Sequence, residues 1–128
     1  MNHLSMCSFA KYMISQSNFL AARYVDLSYW LDPESPMPFV LIADFGHKIA
    51  QEFESIGEKD WSELVSLIEE GLNSEDEYIE TAVATGLIEA IVHVAEPIHG
   101  LWPRIDAALG PEARAYADAY RNAPFMNR

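Results

Sequence analysis

The chain has 128 residues, half of them apolar, so it is long enough to bury a hydrophobic core and too apolar for intrinsic disorder. We therefore predict a single domain over residues 1–128. The formal net charge of -12 argues against nucleic acid or an anionic membrane as the natural partner, and it favours a basic partner or simply high solubility. The acidity is regional, because residues 26–80 hold 15 Asp and Glu but only two Lys.

Features near the N-terminus bear on where the protein works. Cys7 is the only cysteine, which excludes an intramolecular disulfide and favours a reducing compartment. Residues 1–13 lack the basic stretch followed by a continuous apolar run that defines a signal peptide. No window approaches the roughly 20 apolar residues of a membrane-spanning helix. We therefore expect a cytoplasmic protein that does not bind membranes.

The first third of the chain predicts helices interrupted by a proline-rich loop. Apolar residues at helical spacing indicate helix over residues 4–15 and over residues 18–31, as one bent helix or two. Three prolines between Asp32 and Pro38 indicate a loop, and Pro38 suits the first position of the following helix. That helix is predicted over residues 39–56.

A helical hairpin is predicted next. Gly57 is expected to end the helix before it. Asp60, with Glu63 three residues later, is expected to cap a short helix that runs to Leu72. After a turn, the longest predicted helix covers about residues 75–96. Because the connection is so short, these two helices must lie roughly antiparallel.

The helix over residues 75–96 has the pattern of a buried central helix. Ser74 and Glu77 form a Ser-x-x-Glu capping box at its start, and Pro97 ends it. Its apolar band is wider than one packing partner needs and comprises Ile79, Ala82, Val83, Gly86, Leu87, Ala90, Ile91, Val94 and Ala95. A narrow polar stripe comprises Glu77, Thr81, Thr85, Glu89 and His93. We expect Gly86 to mark a close helix crossing, because glycine there costs about 1 kcal/mol relative to alanine.

Two further helices are predicted after residue 100. Residues 102–109 indicate a short helix, and Gly110 with Pro111 opens a last helix that Pro124 closes. Its inward-facing residues are expected to be Ala115, Tyr116, Ala119 and Tyr120. Since no segment alternates with a two-residue period and no repeat recurs, the sequence predicts an all-α fold of five to seven helices around the central helix.

One group of polar residues has the side chains that zinc or iron accept as ligands. Glu89, His93 and Glu96 share a face of the central helix, and His99 follows beyond Pro97. The spacing differs from the Glu-x-x-His pairs of di-iron bundles, and no second such motif exists. We therefore predict a structural polar stripe without metal or cofactor, and keep a small metal-dependent enzyme as the alternative.

Signatures of other catalytic mechanisms are missing from the sequence. It has no nucleophile elbow, no glycine-rich phosphate loop and no Cys-x-x-Cys motif. Cys7 with His3 or His47 is a formal thiol–imidazole pair, but the Met, Ser and Phe neighbours of Cys7 offer no positive charge to activate a thiol. We therefore predict that the protein is not an enzyme.

Six acidic residues flank the predicted hairpin turn and are expected to lie together at one end of the molecule. They are Glu69, Glu70, Glu75, Asp76, Glu77 and Glu80. Such a surface either keeps the protein soluble or speeds association with a basic protein. Trp30, Trp61 or Trp102 could anchor a partner there, although each also suits the core. We predict the acidic residues to be the partner-binding site.

Three segments resemble known proteins: PFVLIADFGHKIAQ at Pro38–Gln51, the run from LIEEGL to TGLIEA at residues 67–90, and LGPEARAY at residues 109–116. Together they are similar to a family of short, all-helical bacterial proteins of unknown biochemical function. Some members of that family are regarded as immunity proteins of polymorphic toxin systems. The shared features are those of helix packing and turns, and no catalytic residue comes with them.

The resemblance implies an intracellular protein that binds a cognate toxin domain. Neutralisation would then follow from stoichiometric occlusion of the toxin's active site or substrate entry. An acidic inhibitor suits a toxin with a basic cleft. A non-catalytic helical adaptor with a different protein partner is the alternative. The oligomeric state stays open, because the chain itself or a second copy could cover the wide apolar band.

Overall fold

The computed structural model describes residues 2–123, with side chains from Leu4 onward, and the predicted helix stop at Pro124 lies outside this range. Within the described range the fold is all-helical and contains no β-strand. Its seven helices are α1 (Asn2–Gln16), α2 (Asn18–Arg23), α3 (Pro38–Gln51), α4 (Glu58–Leu72), α5 (Glu77–Ala95), α6 (Leu101–Ala108) and α7 (Pro111–Arg121). The predicted all-α class with five to seven helices is confirmed.

A buried serine separates the first two helices. Ser17 is 1% exposed, and its side-chain oxygen accepts a hydrogen bond from the Leu20 amide at 3.1 Å. This bond caps α2, because it satisfies an amide that has no partner within the helix. The first helical region is therefore two helices rather than one bent helix.

The prediction of helix over residues 18–31 is wrong beyond Arg23. Tyr24 leaves the helix because its ring packs edge-on against Phe45, and its hydroxyl donates a hydrogen bond to Asp44 at 2.6 Å. These contacts with α3 outweigh the helical spacing of the apolar residues that follow. The chain then runs through turns until α3 begins.

Helix α3 begins at Pro38, as the sequence predicted, but it ends at Gln51 instead of continuing to residue 56. A short 3-10 turn, Phe53–Ser55, follows it. Within this turn the Phe53 ring packs edge-on against Trp61, with 5.1 Å between the ring centroids. Phe53 therefore makes this aromatic contact from a 3-10 turn, whereas the apolar spacing alone predicted that the α-helix continues through it.

Helix α4 begins at Glu58, earlier than the sequence predicted. Gly57, in an extended conformation, is the N-cap residue, and its carbonyl accepts the first helical hydrogen bond from the Trp61 amide at 2.9 Å. The expected cap at Asp60 is therefore wrong. Asp60 lies instead in the first turn, where the helix dipole favours negative charge.

Helix α5 passes through the centre of the fold, as predicted. Its buried residues are Ala82, Val83, Ala84, Gly86, Leu87, Ile88, Ala90, Ile91, Val92 and Ala95. The predicted capping box of Ser74 and Glu77 is wrong, because Asp76 is the N-cap residue. Asp76 Oδ1 accepts hydrogen bonds from the amides of Tyr78 at 2.8 Å and Ile79 at 3.3 Å.

Seven residues within α5, Ala82–Ile88, wind as a π-helix. Here the Leu87 carbonyl approaches α3 so closely that a Cβ at Gly46 would overlap with its oxygen. Gly46 is therefore the glycine that the close helix crossing requires. The crossing is where the sequence predicted it, but Gly86 does not create it, since a Cβ there would meet Phe39 at an ordinary 3.5 Å.

By length and composition, α5 could cross a membrane, with a mean hydropathy of 1.3 over its most apolar window. This finding differs from the expectation that no window approaches a span. In the fold, 56% of that window is buried inside the protein. The core helix of a globular protein has the same properties, because neighbouring helices cover it on several sides.

Helix α7 packs against both α4 and α5. Its buried residues are Ala113, Ala117 and Tyr120. The predicted inward positions Ala115 and Ala119 are wrong, since both are exposed, whereas Tyr116 is half-buried and Tyr120 is buried as predicted. The two tyrosines contact the polar stripe of α5.

Candidate functional site

The turn between α4 and α5 brings acidic residues together at one end of the molecule. The six predicted carboxylates occupy the last turn of α4, the connecting turn and the first turn of α5. Glu112, in the first turn of α7, joins them because its backbone amide lies 2.9 Å from Glu69 Oε1. We call these seven residues the acidic end: Glu69, Glu70, Glu75, Asp76, Glu77, Glu80 and Glu112.

Glu69 links two helices and is not free for a partner. Its Oε1 accepts a hydrogen bond from the Glu112 amide and its Oε2 one from the Ala113 amide, both at 2.9 Å. These bonds cap α7, whose N-cap residue Gly110 has no side chain for the purpose. A Cβ at Gly110 would come within 2.6 Å of Glu69 Cδ, so the glycine admits the carboxylate.

Glu70 and Asp76 make hydrogen bonds with side chains of α1. The Tyr12 hydroxyl donates to Glu70 Oε1 at 3.0 Å, and this bond to an anion raises the pKa of Tyr12. Desolvation acts to raise the pKa of Asp76, but hydrogen bonds from Ser5 and from two backbone amides lower it below its ordinary value. Both carboxylates therefore hold the hairpin against α1.

The remaining four carboxylates of the acidic end are Glu75, Glu77, Glu80 and Glu112. Their side chains make no hydrogen bond or ion pair with the residues that the structure describes. All are exposed except Glu80, which is half-buried. Glu112 was not predicted to belong to this group, because only the packing of α7 against α4 places it here. The one signal in the sequence was the Gly-Pro pair that starts α7.

Ion pairs neutralise six of the 13 carboxylates outside the acidic end. In the described part of the chain they are Arg23–Glu52, Lys48–Asp44, Lys59–Glu63, Arg104–Glu54, Arg114–Asp106 and Arg121–Glu96. None of these pairs includes a residue of the acidic end. The seven carboxylates of the acidic end lie close together, so their charge can act jointly on an approaching charged partner. Other unpaired carboxylates, such as Glu34, Glu58 and Asp118, belong to different parts of the fold.

A groove of about 350 Å³ lies beside the acidic end, between α1 and α4. It is lined by Tyr12, Gln16, Ser62, Glu63, Ser66, Leu67 and Glu70. Because Glu70 belongs to both, the groove and the acidic end form one continuous surface. Neither the groove nor the part played by α1 in it was predicted, since both depend on the packing of helices distant in sequence.

The polar stripe of α5 contacts α7. The Tyr116 hydroxyl donates to Glu89 Oε2 at 2.5 Å, and the Tyr120 hydroxyl lies 2.6 Å from His93 Nε2. The two tyrosine rings are parallel, with 6.4 Å between centroids. Burial, reinforced by the hydrogen bond to Glu89, raises the pKa of Tyr116 to about 12. Glu89 and His93 therefore help to hold α7 in place.

The other two residues weighed as metal ligands lie apart from this pair of contacts. Glu96 forms an ion pair with Arg121, whose guanidinium also lies over the Trp102 ring. His99 is exposed in the turn after α5. Among residues 4–123, no three His, Cys, Asp or Glu side chains are grouped closely enough to hold a metal ion.

The positions of Cys7 and His47 do not support the formal thiol–imidazole pair. Cys7 is half-buried on α1. His47 Nδ1 lies 3.1 Å from the Ala43 carbonyl oxygen, one turn earlier in α3. The side chain of His3 lies outside the described residues.

The three tryptophans pack in or against the core. Trp102 is 5% exposed, and the half-buried Trp61 donates from its indole nitrogen to the Ala108 carbonyl at 2.9 Å. Trp30 is half-buried between Tyr24 and Tyr29, both of which meet it edge-on. The exposed aromatic residues beside the acidic end are therefore tyrosines, Tyr12 on α1 and Tyr78 in the first turn of α5, rather than a tryptophan.

The described residues form an all-helical fold in which seven carboxylates lie together at the acidic end. No protein-family model, curated protein or solved structure matches the chain. Its function is therefore inferred from the chemistry of the acidic end and from the resemblance carried by the three sequence segments.

Proposed function

We propose that this protein is a non-catalytic inhibitor of the immunity type, which binds a cognate bacterial toxin domain in the cytoplasm. The observation that carries the proposal is the acidic end, where seven carboxylates lie together without an ion pair in the described part of the chain. Their mutual repulsion costs stability. A basic surface on a partner would relieve this repulsion on binding.

The charge of the acidic end defines the chemistry of the partner. A toxin that acts on nucleotides or nucleic acids needs Lys and Arg around its cleft to bind phosphate. An acidic helical protein that occupies such a cleft excludes the substrate by stoichiometric occlusion and needs no catalytic residue. The resemblance to helical immunity proteins supports the same class of function.

Charge reversal of free carboxylates tests this proposal. Glu75→Lys, Glu77→Lys and Glu80→Lys change side chains without hydrogen bonds to the described residues, whereas reversal of Glu69 or Asp76 would also remove helix caps. Complementary charge chiefly accelerates encounter, so we expect the triple variant to associate about tenfold more slowly with the toxin encoded beside its gene. Stopped-flow measurement at low ionic strength gives the rate.

A matched variant separates the acidic end from the total charge. Glu34→Lys, Glu58→Lys and Asp118→Lys make the same change in net charge at exposed positions outside the acidic end. This control is expected to associate at nearly the wild-type rate. Equal slowing of the two variants, with both still folded by circular dichroism, would show that the acidic end has no special part in binding.

A further inference from the structure

The groove between α1 and α4 has the shape and polarity to receive one side chain. On its α1 wall, Tyr12 is 39% exposed and therefore accessible from solvent. On its α4 wall, Ser62, Ser66 and Glu70 follow one another at steps of four residues and so share one face of the helix. Leu67 is buried below them.

Several hydrogen-bond acceptors in the groove are unused. Glu70 Oε1 accepts from the Tyr12 hydroxyl, but no described residue donates to Glu70 Oε2. The hydroxyls of Ser62 and Ser66 likewise make no hydrogen bond to another described residue. A ligand that offers several donors could therefore bond to a carboxylate and to neighbouring hydroxyls at once.

The negative charge in the groove is uncompensated at one end only. Glu63 accepts hydrogen bonds from the Lys59 ammonium at 2.9 Å and from the Asn18 amide at 3.2 Å. Glu70 has no cation beside it in the described part of the chain and lies at the margin of the acidic end. A cationic group would therefore be drawn to the Glu70 end of the groove.

We propose that this groove receives an arginine side chain of the basic partner, an inference that rests on the function proposed above. A guanidinium carries five donors in one plane, which suits a carboxylate flanked by hydroxyls, and its face can stack on the Tyr12 ring. A lysine ammonium is a compact point charge and has no planar face. The groove thus supplies specificity, while the rest of the acidic end supplies attraction.

Two blocked peptides of equal charge test this inference, Gly-Arg-Gly-Arg-Gly and Gly-Lys-Gly-Lys-Gly. In NMR titrations of the labelled full chain, we expect the arginine peptide to shift the amides of Tyr12, Gln16, Ser62 and Ser66. It should bind about fivefold more tightly than the lysine peptide, because stacking and multiple hydrogen bonds are added to the same charge. Glu70→Gln, which still accepts from Tyr12, should abolish the preference.

Control variants decide how the result is interpreted. Glu58→Gln removes the same charge from an exposed position without changing the groove, so the arginine preference should persist. Equal affinity of the two peptides, or shifts confined to residues 75–80, would overturn the arginine groove and leave the acidic end as the binding surface. A different result would overturn the proposed function instead: the arginine peptide is preferred, but reversing the charges of Glu75, Glu77 and Glu80 does not change binding to the toxin.

Discussion

Gly46 and Gly86 lie at the same crossing of α3 and α5 but are subject to different constraints. A Cβ at Gly46 would overlap with the Leu87 carbonyl oxygen and come within 3.0 Å of the Ala90 Cβ. Both obstacles are parts of a buried helix, so neither can move aside as the end of a flexible side chain would. A Cβ at Gly86 would make only ordinary contacts, the nearest at 3.5 Å.

Alanine substitutions at these two glycines should therefore differ in their effect on stability. We expect Gly46→Ala to lower the free energy of unfolding by about 2 kcal/mol, because overpacking a close crossing forces the helices apart. Gly86→Ala should leave the free energy unchanged or raise it by up to about 1 kcal/mol, because alanine favours helix. Urea denaturation of both variants measures this difference, and equal destabilisation would contradict it.

The burial of Tyr116, together with its hydrogen bond to Glu89, makes stability depend on pH. The pKa of Tyr116 is about 12 in the folded protein against an ordinary value of 10.0, so the folded state binds the phenolic proton more tightly. The stabilisation is therefore fully present below pH 10 and is lost as the pH rises from 10 towards 12.

Tyr116→Phe isolates this contribution from those of other tyrosines. At pH 8 we expect the variant to be less stable than the wild type by about 1 kcal/mol, the value of one hydrogen bond to a charged acceptor after solvent screening. The difference should shrink above pH 10, because the Tyr116 phenol of the unfolded wild type then ionises while that of the folded protein is still protonated. Urea denaturation at pH 8, 10 and 11 gives the comparison, and a difference independent of pH would rule the bond out as its source.

At the scale of helices, periodicity in the sequence predicted which elements form, whereas tertiary contacts decided where they end. The α5 helix and its burial follow from an apolar band that no single neighbour could cover. The stop of α2 after Arg23 depends on the contact of Tyr24 with Phe45, residues far apart in sequence. The cap of α5 is Asp76, which accepts from the Tyr78 amide, whereas Ser74 accepts from the amide of Asp76 in the turn before the helix.

The cap that Glu69 provides to α7 predicts a specific loss of stability. Glu69→Ala leaves the amides of Glu112 and Ala113 without their acceptor, and we expect it to cost about 1 kcal/mol. Glu75→Ala is the matched control, because that exposed carboxylate has no partner among the described residues. Its effect should stay below about 0.5 kcal/mol. Equal urea midpoints for the two variants would show that α7 does not need the cap.

At the scale of the whole molecule, the sequence located the acidic end but not its internal division. The short connection between α4 and α5 was sufficient to bring six carboxylates together. Only the packing of α1 and α7 reveals that Glu69, Glu70 and Asp76 hold the fold, that Glu112 joins the group, and that a groove lies alongside. Such contacts join residues distant in sequence, which local patterns do not encode.

This division sharpens the proposed mechanism of inhibition. Carboxylates with structural bonds fix the shape of the acidic end, and the free ones give it an uncompensated charge that a basic cleft would complement. Salt screens interactions between exposed charges over about 10 Å at 0.1 M ionic strength. Binding through this surface should therefore weaken as salt is added.

The central claim is tested most directly by co-purification of this protein with the product of the adjacent open reading frame. The proposed function predicts an equimolar, catalytically silent complex that dissociates faster as ionic strength rises and that the Glu75, Glu77 and Glu80 reversals weaken. Size-exclusion chromatography with light scattering gives the composition. The absence of a complex, or a complex indifferent to both salt and charge reversal, would contradict the claim.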